Sequence, residues 1–177
     1  NKIKEVQSLI KNQKLISLKD LNFNREIKET ENTIKKNAFI KADFIFNKYG
    51  VNCFSDDSGL QVDALDNQPG VRSARYAGEN ASSNDNVDLL LENLKYIKDR
   101  RAKFITSICL IINSNVKFFE GMIRGNITHT RRGDNGFGYD PIFVPDGYKK
   151  TFAEMPFEYK NSISHRAIAI KKLVKYL

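Results

Sequence analysis

Long apolar runs are absent from this chain. No stretch approaches the roughly 20 residues of a membrane-spanning helix. No leader-like segment is visible, and a cytoplasmic protein is expected. Cysteine is scarce. Cys53 and Cys109 both sit in apolar runs with strand character, which reads as two buried reduced thiols, not a disulfide or a metal site. No Cys/His cluster has zinc spacing. Repeats and low-complexity tracts are also lacking, so the 177 residues read as one domain with a sizeable core. A long basic block is missing too. The formal charge of +8, from 29 basic and 21 acidic residues, is spread along the chain. A basic nucleic-acid-binding domain is thus an alternative carried by charge alone, and no dedicated nucleic-acid partner is expected.

What is there is a mixture of helical and strand periodicities. Ile3, Val6, Leu9 and Ile10 share one side of a helix over residues 2–12. Lys14 to Leu18 reads as a short strand, and residues 19–32 as polar loop. Thr33 suits an N-cap for a helix that ends near Tyr49, with Gly50 as its stop. Ile34, Ala38, Ala42 and Ile45 form its buried stripe, with Lys41 off it. Asn84 to Ile97 is predicted helical, with Val87, Leu90, Leu91 and Leu94 inward. Strands are predicted over about 102–112 and 116–124, joined by a hairpin at Asn113-Ser114-Asn115. A strand follows at about 141–144. Thr151 with Glu154 suits a capping box. Ser164 suits the cap of a last helix carrying Ile168, Leu173 and Val174. The pattern predicts an α/β fold with a mixed sheet flanked by helices.

The segment from Cys53 to Gly78 is the most informative. An apolar run, Val51 to Phe54, leads into Ser55-Asp56-Asp57-Ser58-Gly59, and a second run, Leu60 to Leu65, follows. That predicts strand, acidic turn, strand. A carboxylate on such a corner can hold a divalent metal or take a proton from water. By local pattern alone a solvated Asx turn fits as well. Asp56, one residue away, would point to the opposite face on a strand.

The longer string, Ser-Asp-Asp-Ser-Gly-Leu followed by Pro69-Gly70-Val71-Arg72-Ser73-Ala74-Arg75-Tyr76-Ala77-Gly78, resembles the signature of the inosine triphosphate pyrophosphatase family. Three further blocks are similar: Thr33 to Ala42, Phe137-Gly138-Tyr139-Asp140-Pro141, and Lys160-Asn161-Ser162-Ile163-Ser164-His165-Arg166. They come in the family's order and cover nearly the whole chain. The resemblance implies an elongated domain with a long central sheet, two lobes and a site in the cleft between them. It implies a homodimer that hydrolyses non-standard purine nucleoside triphosphates (inosine, deoxyinosine and xanthosine triphosphates) to monophosphate and pyrophosphate. Family members open with a strand ending in Thr-x-Asn-x-x-Lys. Lys2-Ile3-Lys4-Glu5 fits the end of that pattern, which makes Lys2 the motif lysine and places the first strand ahead of residue 1. A nucleotide-binding protein with impaired catalysis is the alternative this start suggests.

The resemblance also implies roles. Asp57 matches the general base and metal-linked carboxylate. Glu29 matches the metal-binding glutamate, although Glu31 stands where glycine is usual. Hard oxygen ligands of this kind suit Mg²⁺. Lys41 matches the phosphate-binding lysine, and Ser58 offers a hydroxyl to phosphate. Phe137, between two glycines, suits a stacking platform for a purine. Gly138, Tyr139, Asp140, Lys160, His165 and Arg166 complete the implied substrate pocket. Asp140 can accept from ring N–H groups, and a donor such as Arg166 aimed at O6 favours oxo-purines over adenine. Arg72, Arg75 and Tyr76 fall near the site and the dimer contact, without individual roles. His129 matches no motif and reads as structural or exposed.

Overall fold

The computed structural model describes residues 15–177. The predicted helix over 2–12 and Lys2 itself lie outside the described residues. Helix α1 spans Ile34–Tyr49 and strand β1 spans Cys53–Val62. Helix α2 (Ser83–Asn93), strands β2 (Arg101–Ile112) and β3 (Asn115–Ile127), and the short β4 (Phe143–Pro145) follow. Helices α3 (Phe157–Ile163) and α4 (His165–Tyr176) end the chain. Among the described residues the sheet has four strands in the order β1-β2-β3-β4, every neighbour antiparallel. The expected α/β class is thus observed.

Local chemistry sets most boundaries as predicted. The Thr33 hydroxyl accepts from Lys36 N at 3.2 Å. Gly50, at φ 65°, closes α1 by donating to the Phe46 carbonyl at 2.8 Å. Asn113 and Ser114 both have positive φ, so the β2–β3 hairpin is a two-residue turn and β3 begins at Asn115. Ser164 caps α4 through Ala167 N, and the capping box of Thr151 and Glu154 closes a 3₁₀ turn over Phe152–Glu154.

Several boundaries differ. Residues 15–18 form no strand: Ser17 donates its N–H and hydroxyl to Asp20 Oδ2, and that local turn displaces extended pairing. Helix α2 ends at Asn93, before Ile97, and its Leu91 is only half-buried. The strand predicted at 141–144 begins at Phe143, after a 3₁₀ turn over Asp140–Ile142. In α4 the buried face is Ala167, Ala169, Ile170 and Leu173, whereas Val174 is exposed.

The largest difference concerns the acidic segment. There is no turn between two strands. β1 pairs with β2 without interruption, Asp56 with Ile108, Asp57 with Ser107, Ser58 with Thr106 and Gly59 with Ile105. Ladder hydrogen bonds from a long partner strand override the turn preference of Asp, Ser and Gly. The second apolar run leaves the sheet at Val62, and Asp63–Leu65 form a 3₁₀ turn.

Because side chains alternate along a strand, this register sorts β1 onto two faces. On one, Leu60 and Val62 join a cluster with Phe104, Phe143, Phe152, Val87, Leu90 and Leu94. Further along the same face, Ile108 and Leu110 pack under Ala169, Ile170 and Leu173 of α4. Between these clusters lies a polar row of Asp56, Ser58 and Thr106. On the opposite face, Cys109 and Ile111 pack under Ala38 and Ala42 of α1. Cys109 is buried, as predicted, but Cys53 is only half-buried; both thiols are free. Burial pushes the Cys109 thiol up to about 12.

Two glycines bring elements to the sheet. A Cβ on Gly59 would collide with the Gly70 carbonyl oxygen; a Cβ on Gly121 would lie 2.6 Å from Ala169 N and closer still to the His165 carbonyl oxygen. The start of α4 therefore rests directly on β3 at Gly121. Gly121→Ala is expected to destabilise the fold by about 1–3 kcal/mol through overpacking. Urea unfolding measures this, and an unchanged midpoint would mean that α4 is not seated on the sheet at that residue.

Candidate active site

The face of β1 covered by α1 carries one group of charges. Lys41, on α1 one residue before the buried Ala42, reaches across to β1. Its Nζ donates to Glu29 Oε1 at 2.6 Å and to Asp57 Oδ1 at 3.2 Å. Asp57 is buried. Burial is the largest influence on Lys41 and works against its charge. Asp57, Glu29 and Asp56 together outweigh it and hold the ammonium above the ordinary lysine value of 10.5.

Glu29 is held in turn. Arg75 donates to the Glu29 carbonyl at 3.2 Å and stands 3.6 Å from its carboxylate. Two residues on, the fully buried Asn37 of α1 accepts from Glu31 N at 3.0 Å and donates to Glu31 O at 3.2 Å. The loop therefore docks on α1 through a backbone bracket that any side chain at 31 can make, so Glu31 fits where the family usually has glycine.

The face covered by α4 carries the second group. Arg166, on the first turn of α4, donates from Nε to Asp56 Oδ2 at 3.3 Å and from Nη2 to Ser58 Oγ at 3.2 Å. Ser58 Oγ also lies 2.7 Å from Thr106 Oγ1. His165 is buried and stacks on Phe104, ring centroids 4.6 Å apart and nearly parallel. Phe137 is half-buried and belongs to none of the three apolar clusters. Lys160 Nζ stands 4.7 Å from its ring centroid and the Arg166 guanidinium 5.8 Å. The buried Lys160 donates to Asp140 Oδ2 at 2.6 Å, and Phe137 N donates to the same oxygen at 2.8 Å. Gly138, at φ 59°, turns the chain between them.

The structure thus brings Glu29, Lys41 and Asp57 together on one face, and Ser58, Phe137, Asp140, Lys160, His165 and Arg166 on the other. Asp56 points opposite to Asp57, as the strand period requires. Tyr139 is built into the core, where its hydroxyl donates to the Ser73 carbonyl at 2.9 Å and burial pushes its pKa up. His129 is exposed and lines a groove of about 640 Å³ with Asp88, Glu92 and Arg100, away from both groups. Sequence reasoning left Arg75 without a role and did not find Asn37 or Thr106. The contacts that give them a place in the site span six residues for Asn37 and more than forty for Arg75 and Thr106, beyond any local pattern.

The arrangement offers a paired acid and base, two polar faces of one strand, and a flat ring flanked by cations. Among the described residues no three His, Cys, Asp or Glu side chains gather into a cage. Glu29 and Asp57 are instead two carboxylates aimed at one cation. That donor set suits a hard ion that keeps its remaining ligands as water or phosphate.

Fold and site together define an α/β protein with charged groups on both faces of one strand. Its family model is that of the Ham1 family, matched over residues 1–176. The chain is 48% identical over 178 residues to a dITP/XTP pyrophosphatase of Flavobacterium johnsoniae, spanning all of this chain and 93% of that protein. It is 45% identical to a dITP/XTP pyrophosphatase of Porphyromonas gingivalis, spanning all of this chain and 92% of that protein. The structure of a HAM1 protein from Coxiella burnetii superposes with a TM-score of 0.92 at 37% identity, covering 99% of this chain and 92% of that one. The Staphylococcus aureus Ham1 protein gives 0.91 at 38% identity, with the same coverage. The chain belongs to the Ham1 family, in agreement with the resemblance read from its motifs.

Lys41 gains its raised pKa on folding, so its stabilising contribution is complete below the unfolded value of 10.5 and is lost as pH rises through the higher folded value. The melting-temperature gap between the wild type and Lys41→Met is expected to be flat from neutral pH to about pH 10 and to shrink above it. A gap that stays constant through that window would show that Lys41 is not an ion-pair partner in the folded protein.

Proposed function

We propose that this protein hydrolyses non-standard purine nucleoside triphosphates, such as those of inosine, deoxyinosine and xanthosine, to the monophosphate and pyrophosphate, and so cleanses the nucleotide pool. The observation that carries the reading is the convergence of Lys41 on Glu29 and Asp57 on one face of β1, with the cation-flanked Phe137 ring on the side of Arg166. The relatives named dITP/XTP pyrophosphatase, 48% and 45% identical, support it.

In this reading Asp57 accepts the proton of the attacking water. Its burial and its place on a paired strand fix the carboxylate without reorganisation. Lys41 neutralises phosphate charge, whereas Ser58, which faces Arg166 and Thr106 on the other side of the strand, braces the guanidinium. Glu29 and Asp57 would hold Mg²⁺, which would supply further charge neutralisation when bound. The purine lies against Phe137. Lys160 and Arg166 present donors to O6 and N7, whereas adenine places its own amino donor at position 6. His165 supports this wall through its stack on Phe104. The reading includes a cytoplasmic homodimer. Two free cysteines support a reducing compartment. Among the described residues no helix is long and apolar enough to cross a membrane. Of the alternatives, impaired catalysis is disfavoured by the intact acid–base group, and nucleic-acid binding by the internal pairing of Arg75, Lys160 and Arg166.

Asp57→Asn is expected to lower kcat for inosine triphosphate by about 10²–10⁴-fold with the fold intact. Steady-state pyrophosphate release, with and without Mg²⁺, tests both parts. Orthophosphate as the first product, or a variant that keeps most of its kcat, would overturn the assignment.

A further inference from the structure

We propose that Lys41 is a displaceable counter-ion, which holds the point where Glu29 and Asp57 converge so that a divalent ion settles there only together with nucleotide. The inference rests on the magnesium-dependent reading above and concerns the order in which that site fills.

Three observations lead to it. First, one ammonium already occupies the focus of both carboxylates, at 2.6 and 3.2 Å. A metal ion at that focus and the Lys41 ammonium cannot coexist in contact distance without strong repulsion. Second, both carboxylates already face cations among the described residues. Glu29 and Asp57 are set against Lys41 and Arg75. The neighbouring acids are paired too, Asp56 with Arg166 and Asp140 with Lys160. A bare divalent ion would therefore bring two uncompensated charges into a largely buried place.

Third, Lys41 can leave. Its backbone is fixed by the packing of Ala38 and Ala42 of α1 on Cys109 and Ile111, but its ammonium sits on a flexible four-carbon stem. A triphosphate carries about four negative charges, so its metal complex is still anionic. When that complex arrives, Lys41 exchanges a carboxylate partner for a phosphate oxygen and the metal takes the vacated focus. Neither carboxylate is left without a cation at any stage. Metal and nucleotide affinities are then coupled, and by linkage each raises the other by the same factor. In this account Lys41 both contacts substrate and sets the metal's dependence on it.

The test uses Mn²⁺ as a paramagnetic probe on the full chain, with protein-bound Mn²⁺ counted by electron paramagnetic resonance. The nucleotide is a non-hydrolysable imido analogue of inosine triphosphate. Without nucleotide, wild-type protein should bind Mn²⁺ weakly, and Lys41→Met should bind it about 10–100-fold more tightly. Adding Glu29→Gln to that variant should abolish the gain. A melting curve gives an independent readout, with Mn²⁺ alone raising the midpoint of Lys41→Met and not of the wild type. Should Lys41→Met fail to fold, Lys41→Gln carries the same expectations. Nucleotide-free wild type that binds Mn²⁺ as tightly as the lysine variant would overturn the inference and leave the magnesium reading standing. Absence of protein-bound Mn²⁺ in the variant and in the nucleotide complex alike would overturn the magnesium reading, and the inference with it.

Discussion

The uninterrupted pairing of β1 with β2 is the constraint on which the rest of this structure depends. Ten consecutive residue pairs, from Cys53 with Ile111 to Val62 with Ala102, hold the five residues from Ser55 to Gly59 in an unbroken ladder despite their turn character. The strand period then does the sorting. Asp57 goes to the side of α1 and Asp56 to the side of α4. Had the segment been a turn, both carboxylates would share one solvated corner. Because it is a strand, each acid meets a cation from a different helix, and one polypeptide segment serves two chemically distinct compartments.

Polar residues in a strand covered on both faces are costly to bury unless each finds a partner. Here the cost is met by long-range contacts. Lys41 and Arg166 reach in from helices placed 16 and 110 residues away in sequence, and Thr106 bonds Ser58 from the neighbouring strand. Gly59 and Gly121 remove the side chains that would keep Gly70 and α4 at a distance. The +8 net charge plays little part in this account. Among the described residues the site's acids and bases pair with one another.

Much of this was legible in the sequence where local rules suffice. Thr33 and Gly50 bracket α1, Asn113 and Ser114 make the hairpin, and Ser164 caps α4, because caps and tight turns are decided within four residues. The motif resemblance marked Glu29, Lys41, Asp57, Phe137, Lys160, His165 and Arg166, and the structure brings them onto two faces of one strand. What was not legible is what distant partners decide. The acidic segment has turn propensity and became a strand because β2 was there to pair with it. Val174 fits the helical stripe, yet α4 meets the sheet through Ala169, Ile170 and Leu173. Tyr139 lies in a motif, but the Ser73 carbonyl draws it into the core. Arg75 and Asn37 hold the Glu29 loop, and nothing in their neighbourhoods announces it.

The central claim is that the two faces of β1 divide the substrate, phosphates toward Lys41 and base toward Arg166. Competitive inhibition by tripolyphosphate and by inosine, measured in Lys41→Met and in Arg166→Ala, tests this directly. The account predicts a crossover. Tripolyphosphate should weaken in Lys41→Met and hold in Arg166→Ala, and inosine should do the reverse, each loss being about 1–3 kcal/mol. Equal losses of both inhibitors in both variants would show that the faces do not act separately, and would contradict the account.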